Sequence, residues 1–265
     1  MTSLPTNPNN SSLESMDSSS PILSVSDLGV TFKEKKGDLR VLRNVNFNIL
    51  EHQFVCLLGP SGSGKSTILR VLAGLVPPTC GSVTFPKSSQ PTIGVVFQDA
   101  NLLPWRTVLK NITLPLEIQG VDPTLAEEQA LALIQLTNLQ GFEHSMPQDL
   151  SGGMAQRVAI ARALIQQPDI LLMDEPFGSL DALTREKMSA ELLNIWQAQR
   201  STVLMVTHSI SEAILLSDRV LVISPLPGRI TLDLQIDLPR PRNEEMRFTA
   251  PFGEMAQVLR AAIQV

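Results

Sequence analysis

Cysteine is scarce in this chain. Its two residues, Cys56 and Cys80, are too few and too far apart for a metal knuckle or a disulfide scaffold, and Cys56 sits inside an apolar run that reads as core. A reducing compartment fits that usage. No apolar stretch approaches the roughly 18 residues needed to cross a bilayer, and the N-terminus has neither a basic start nor an apolar signal core. Any membrane role is therefore expected to be peripheral. Positive charge is also in deficit, with 21 Lys and Arg against 26 Asp and Glu. That balance argues against an affinity built on phosphate neutralisation, so nucleic acid is not an expected partner. There is no tyrosine, and no fixed-period repeat, which removes solenoids and propellers.

What is present belongs to an ordinary globular protein. Of the 265 residues, 43% are hydrophobic and 18% charged, enough to bury a real core in a single large domain with room for an inserted subdomain. The first twenty residues hold 14 Ser, Thr, Asn or Pro, so residues 1–21 are expected to form a disordered tail and 22–265 the folded domain. Four short apolar runs follow: Phe54 to Leu58 before Gly59, Ile93 to Phe97 before Gln98, Ile170 to Met173 before Asp174, and Val203 to Val206 before Thr207 and His208. Uninterrupted runs of this length suit strands covered on both faces, as in a parallel sheet. Helical patterns at 64–75, 152–166, 181–200 and 209–217 separate or follow them, which gives the alternation of an α/β fold.

Ligands of open parallel sheets bind beyond the carboxyl ends of the strands. There the runs place Gly59, Gln98, Asp174, Glu175 and His208. Mostly helical material from about 102 to 168 interrupts the alternation and reads as an inserted helical subdomain. Ile22 to Phe32, Val41 to Leu50 and Ser82 to Phe85 predict a small antiparallel N-terminal sheet. Toward the C-terminus a hairpin is expected around Pro225-Leu226-Pro227-Gly228, then a short helix after Pro251.

The stretch Gly59-Pro60-Ser61-Gly62-Ser63-Gly64-Lys65-Ser66-Thr67 has the spacing of a P-loop. Glycines suit a backbone that curls around phosphate oxygens with its N–H groups inward, and a helix starting near Gly64 adds its positive end. Lys65 would reach the β and γ phosphates, and the Ser66 hydroxyl would hold Mg²⁺. A plain Gly/Ser turn with a solvated lysine is the alternative, but a preceding apolar strand and a following apolar-faced helix are the context that the motif requires. Beside it, Asp174 would hold Mg²⁺ through water and Glu175 would polarise the attacking water. Leu150-Ser151-Gly152-Gly153-Met154 precedes another helix. Ser151 is either an ordinary N-cap or part of a second anion cradle that needs a partner.

With these motifs in this order, the chain resembles the ATP-binding cassette family, the ATPase subunits of ABC transporters, from Ile22 to about Ser224. The resemblance rests on the P-loop, Gln98 after an apolar strand, the Leu150–Met154 signature, Ile170 to Pro176, the Ser179-Leu180-Asp181 triplet and His208 after a strand. It implies a P-loop NTPase with a RecA-like core, an N-terminal antiparallel β subdomain and an inserted helical subdomain, with ATP and Mg²⁺ as ligands. It further implies that Gln98 links Mg²⁺ and water to a membrane partner, that Asp181 lies in the D-loop, and that His208 contacts the γ-phosphate. His52 and His144 read as structural or surface residues. Family members stack adenine on an aromatic residue of the N-terminal sheet. Phe32 stands at that place without the hydroxyl of the commoner tyrosine, and is either that platform or ordinary core.

Family chemistry pairs two cassettes head to tail, with ATP between the P-loop of one and the Ser151-Gly152-Gly153 turn of the other. Gln98-Asp99 with Leu103-Pro104-Trp105, the Met154 ending and the Pro176–Arg185 phrase look like the nitrate/sulfonate/taurine importer group. Ala155 departs from the basic residue expected next. The resemblance then implies a permease subunit, a periplasmic or lipid-anchored solute-binding protein, and a place on the cytoplasmic face of the inner membrane. Leu102, Leu103 and Trp105 are expected either to line a groove for a permease helix or to fold inward as core. A soluble cassette clamp and an exporter or lipid-extraction ATPase are the competing functions.

Overall fold

The computed structural model describes residues 21–34, 37–86, 91–178, 180–199 and 201–263. The expected tail at 1–21 lies, but for Pro21, outside the described residues. Two sheets organise the chain. In the first, β1 (Leu23–Glu34), β2 (Gly37–Ile49) and β4 (Cys80–Thr84) form an antiparallel sheet in the order β2-β1-β4. Its first two strands are longer than their sequence patterns alone indicate.

The second sheet has six strands: β3 (Phe54–Leu58), β5 (Ile93–Val96), β6 (Ile170–Asp174), β7 (Thr202–Thr207), β8 (Arg219–Ile223) and β9 (Ile230–Gln235). Their order is β5-β6-β7-β3-β8-β9, parallel except for the terminal β9, which returns from β8 as the hairpin expected around Pro225 to Gly228. Every residue of β3 and β7 is buried. That burial is why their sequences run apolar without alternation: side chains on both faces pack against other elements. One face meets a cluster that includes Ile68, Leu69, Val71 and Leu72 of α1 (Lys65–Leu72) together with the antiparallel sheet. The opposite face meets α4 (Gly152–Leu164), α5 (Ala182–Gln199), α6 (Ile210–Leu216) and α7 (Ala250–Ile263).

Between β5 and β6 run α2 (Val108–Ile118), α3 (Pro123–Leu136) and α4. Capping fixes two of these starts: Thr107 accepts from the Lys110 amide, and Asp122 accepts from Thr124 and Leu125, with Pro123 in the first turn. Buried Ile112, Ala130 and Ile134 pack into the same core as Val158 and Ile160 of α4. Of the three apolar residues expected at the entry to this stretch, only Trp105 is strongly exposed. Leu102 is half-buried and packs on the core, and Leu103, also half-buried, is held by Asn111, whose side chain bonds both its amide and its carbonyl. Of the two alternatives for this trio, Leu102 follows the inward one, Trp105 the exposed one, and Leu103 stays at the boundary with its main chain fixed by Asn111.

The last helix also differs from expectation. It begins at Ala250, runs 14 residues to Ile263 and carries Pro251 in its first turn, where proline's missing N–H has no helical partner to lose. The segment leading to it is tied down by arginines. Arg240 lies 4.2 Å over the Trp196 ring and bonds Asp218, while buried Arg242 donates to the carbonyls of Ile214, Ser217, Ile236 and Leu238. Burial lowers the Arg242 guanidinium to about 10.

Candidate functional site

The strand ends converge as the parallel topology requires. After β3 the chain turns through Gly59 to Gly64 and enters α1 at Lys65. Gly62 and Gly64 adopt φ of +77° and +97°, torsions that glycine accepts and L side chains resist. Gly59 is needed for space: a Cβ there would stand 2.6 Å from Ile223 Cγ2. The turn is backed from outside the motif as well. A Cβ on Gly64 would meet Leu42 Cδ2 at 2.7 Å, and one on Gly228 would meet the Ser63 carbonyl at 2.3 Å. Gly228 also pairs with β2, donating to the Val41 carbonyl and accepting from the Arg43 amide. So the hairpin turn at 225–228 braces the loop from beneath, a contact between distant segments that no local pattern reveals.

Gly228→Ala is expected to shift Ser63, to cost about 1–3 kcal/mol of stability by overpacking, and to weaken ATP binding. Thermal unfolding and ATP titration measure both effects, and wild-type values in each would refute the bracing role.

Lys65 is buried, and its Nζ donates to the carbonyls of Gly59 at 3.0 Å and Pro60 at 2.9 Å, 3.7 Å from Glu175 Oε1. Burial lowers its pKa, opposed by the carboxylates of Glu175 and Asp174. The Ser66 hydroxyl donates to Asp174 Oδ1 at 2.8 Å. Burial raises the Asp174 carboxyl, partly offset by that hydrogen bond. His208 Nδ1 lies 2.9 Å from Glu175 Oε2.

Glu175 itself has φ of +44°, an uncommon torsion for a non-glycine residue. Its amide donates to Val206 of β7 and its carbonyl accepts from Gly178. A Cβ on Gly178 would lie 3.5 Å from Gln98 Nε2 and 3.6 Å from Glu175 Oε2, so Gln98 and Glu175 both face that small residue. Five of the expected residues thus fall into two side-chain contact groups at neighbouring positions, Lys65–Glu175–His208 and Ser66–Asp174, with Gln98 near Glu175.

The other expected residues stand apart. Ser151 caps α4, its hydroxyl accepting from the Met154 amide at 3.3 Å. A Cβ on Gly152 would lie 3.6 Å from Leu180, and one on Gly153 3.1 Å from Thr184. The signature turn therefore abuts the start of α5, where Asp181 accepts from the Thr184 amide at 3.0 Å. Hydrogen bonds from Thr184 hold the exposed Asp181 carboxyl low. Ser179 lies outside the described residues. The Phe32 ring is 40% exposed at the far end of the β1-β2 pairing, which sets aside its alternative as core.

Sequence reasoning passed over Thr207 and Glu212, whose side chains meet just before and after His208. The only signal was their position within a few residues of that histidine.

A glycine loop between a parallel strand and a helix, faced by a Ser–Asp pair and a Glu–His pair, defines a P-loop nucleoside triphosphatase. A sequence profile described as "ABC transporter" matches residues 42–178. The nitrate import ATP-binding protein of Synechocystis sp. is 44% identical over 224 residues, covering 82% of this chain and 83% of that protein. The taurine import ATP-binding protein of Rhizobium johnstonii is 42% identical over 91% of this chain and 96% of its own length. Among solved structures, the dimeric MJ0796 cassette aligns with a TM-score of 0.71 at 34% identity, covering 82% of this chain and all of that one. A post-hydrolysis state of the same cassette, bound to ADP and Pi, aligns with the same TM-score at 33% identity. The chain belongs to the ABC transporter family and is its ATP-binding, ATP-hydrolysing component.

Proposed function

We propose that this chain is the ATPase subunit of an ABC importer for a small solute, with an anion such as nitrate, a sulfonate or taurine as the expected cargo. The ATPase half of this reading is carried by two contact groups at the ends of β6 and β7 and the P-loop, Lys65–Glu175–His208 and Ser66–Asp174. In it, Lys65 moves from the Gly59 and Pro60 carbonyls to the β and γ phosphate oxygens, while the N–H groups from Gly59 to Thr67 surround them. Glu175 accepts a proton from the attacking water, and His208, hydrogen-bonded to Glu175, reaches the γ-phosphate.

Among the described residues no three His, Cys, Asp or Glu form a metal cluster. The oxygen pair of Ser66 and Asp174 nevertheless fits Mg²⁺, which keeps several waters and takes phosphate oxygens in place of a protein cage. Bound there with Gln98 nearby, Mg²⁺ supplies charge neutralisation to the phosphates. Phe32 offers its exposed ring to adenine.

A second cassette completes the site with its own Ser151, Gly152 and Gly153. Ser151 and Gly152 are exposed at the N-terminus of the 13-residue α4, and a helix start is suited to an anion. Asp181 lies beside that turn. Residues 102–168 act as the helical subdomain that meets the permease, and a solute-binding protein completes the complex. No described helix is long and apolar enough to cross a membrane, so attachment at the cytoplasmic face of the inner membrane goes through the permease.

The importer half is supported by the relatives' names and by one surface feature. Trp105 is 71% exposed beside an open groove of about 700 Å³ whose apolar side is formed by Leu109, Val121 and Pro123 and whose charged side is formed by Arg106, Lys110, Glu117 and Glu127. A large exposed aromatic beside a groove with both apolar and charged walls suits docking of another chain. Trp105→Ala is expected to lower transport by reconstituted importer at least tenfold, as loss of an aromatic anchor does at an interface, while basal ATP hydrolysis by the free cassette stays within twofold. Equal loss of both, with a lowered melting temperature, would instead assign Trp105 to the fold.

A further inference from the structure

His208 is held by its neighbours in the chain. The Thr207 hydroxyl donates to Glu212 Oε2 at 2.6 Å and accepts from the Ser209 amide at 3.0 Å, and the Ser209 hydroxyl accepts from the Glu212 amide at 3.3 Å. These three bonds close a ring that clamps the backbone on both sides of His208. Thr207 and Glu212 are 2% and 6% exposed, so the ring is sheltered from water. The other carboxylate oxygen of Glu212 faces Arg185 Nε at 3.8 Å. Arg185 in turn donates to the Leu180 carbonyl at 2.9 Å, and its amide bonds the Asp181 carbonyl. An ion pair between buried Glu212 and Arg185 therefore links the His208 loop to Arg185, which itself bonds the loop of Leu180 and Asp181.

We infer that Glu212 is a positioning residue of the ATPase site, fixing the His208 loop through Thr207 and Ser209 and tying it through Arg185 to the Leu180–Asp181 loop. This rests on the role given above to His208. With the tie intact, a partner cassette that presses on the Asp181 loop also acts on the loop that already holds the imidazole against Glu175. Without it, His208 keeps its chemistry but loses its aim. Apart from the γ-phosphate contact given to His208, nucleotide binding involves none of these groups.

The full chain tests this with steady-state ATP hydrolysis and direct ATP titration. Thr207→Val, nearly isosteric and lacking only the hydroxyl, is expected to lower kcat about tenfold with ATP affinity within twofold of wild type, and Thr207→Ser is expected to restore most of it. Glu212→Gln and Arg185→Gln should each lower kcat, and the double variant should be no worse than the poorer single one, as expected for groups acting as a unit. Wild-type kcat in Thr207→Val overturns the inference. So does a Thr207→Ser variant as impaired as the valine, strict additivity in the double variant, or a loss of ATP affinity equal to the loss of kcat. His208→Ala separates the two levels. If it hydrolyses ATP at the wild-type rate, the role of His208 itself falls; if it is inactive while Thr207→Val is unaffected, only the positioning role of Glu212 falls.

Discussion

Glu175→Gln is expected to bind ATP as tightly as wild type and to lower steady-state hydrolysis by roughly 10²–10⁴-fold, the usual contribution of a positioned general base. The substitution keeps size and hydrogen-bonding capacity. Its amide still contacts His208, and the Lys65 ammonium, Ser66 and Asp174 are untouched. What disappears is the acceptor for the proton that water must lose, together with the negative charge 3.7 Å from Lys65. Because the phosphate cradle survives and the γ-phosphate is retained, the variant should accumulate as a closed ATP-bound pair. Size-exclusion chromatography with ATP measures that directly. Hydrolysis at the wild-type rate would require another base, with His208, already 2.9 Å from this carboxylate, the first to be replaced next.

Lys65→Ala should fail earlier, at binding. A charge-assisted hydrogen bond to phosphate is worth about 1.5–3 kcal/mol, so losing it weakens ATP affinity by roughly tenfold to a hundredfold. The variant also leaves Asp174 and Glu175, adjacent acids at the end of β6, without the buried cation that stood near both. Their mutual repulsion adds to the cost of bringing in a polyanion. Calorimetric titration with ATP distinguishes the two variants: Glu175→Gln retains affinity and Lys65→Ala loses it. An alanine variant that bound ATP normally would show that the backbone N–H groups alone hold the phosphates.

Legibility in the sequence followed the range of the interactions. The P-loop is contiguous, its glycines are required by torsion at Gly62 and Gly64 and by space at Gly59, and such needs leave a readable string. The parallel strands were equally plain, because burial on both faces forces uninterrupted apolar runs, and their polar ends named Asp174, Glu175 and His208. Other features depend on segments that meet only in the folded chain. Gly228 looks like any turn glycine until it is found beneath Ser63. Leu102 and Trp105 look alike in the sequence, and only the fold separates the one packed on the core from the one left exposed. Nothing local to Arg242 tells that its guanidinium is buried among carbonyls. Glu212 reads as a helix-face acid, and only the approach of Thr207 and Arg185 gives it a task.

Glu175 carries one further implication, in its main chain. A left-handed torsion at a residue with a Cβ costs on the order of 1–2 kcal/mol, and the strand bonds around Val206 keep it in place. Those bonds belong to the sheet itself, so the main chain that carries this carboxylate is set by the fold. In the cassette pairing proposed above, the parts left to move toward this point are the neighbouring loops and the opposing subunit.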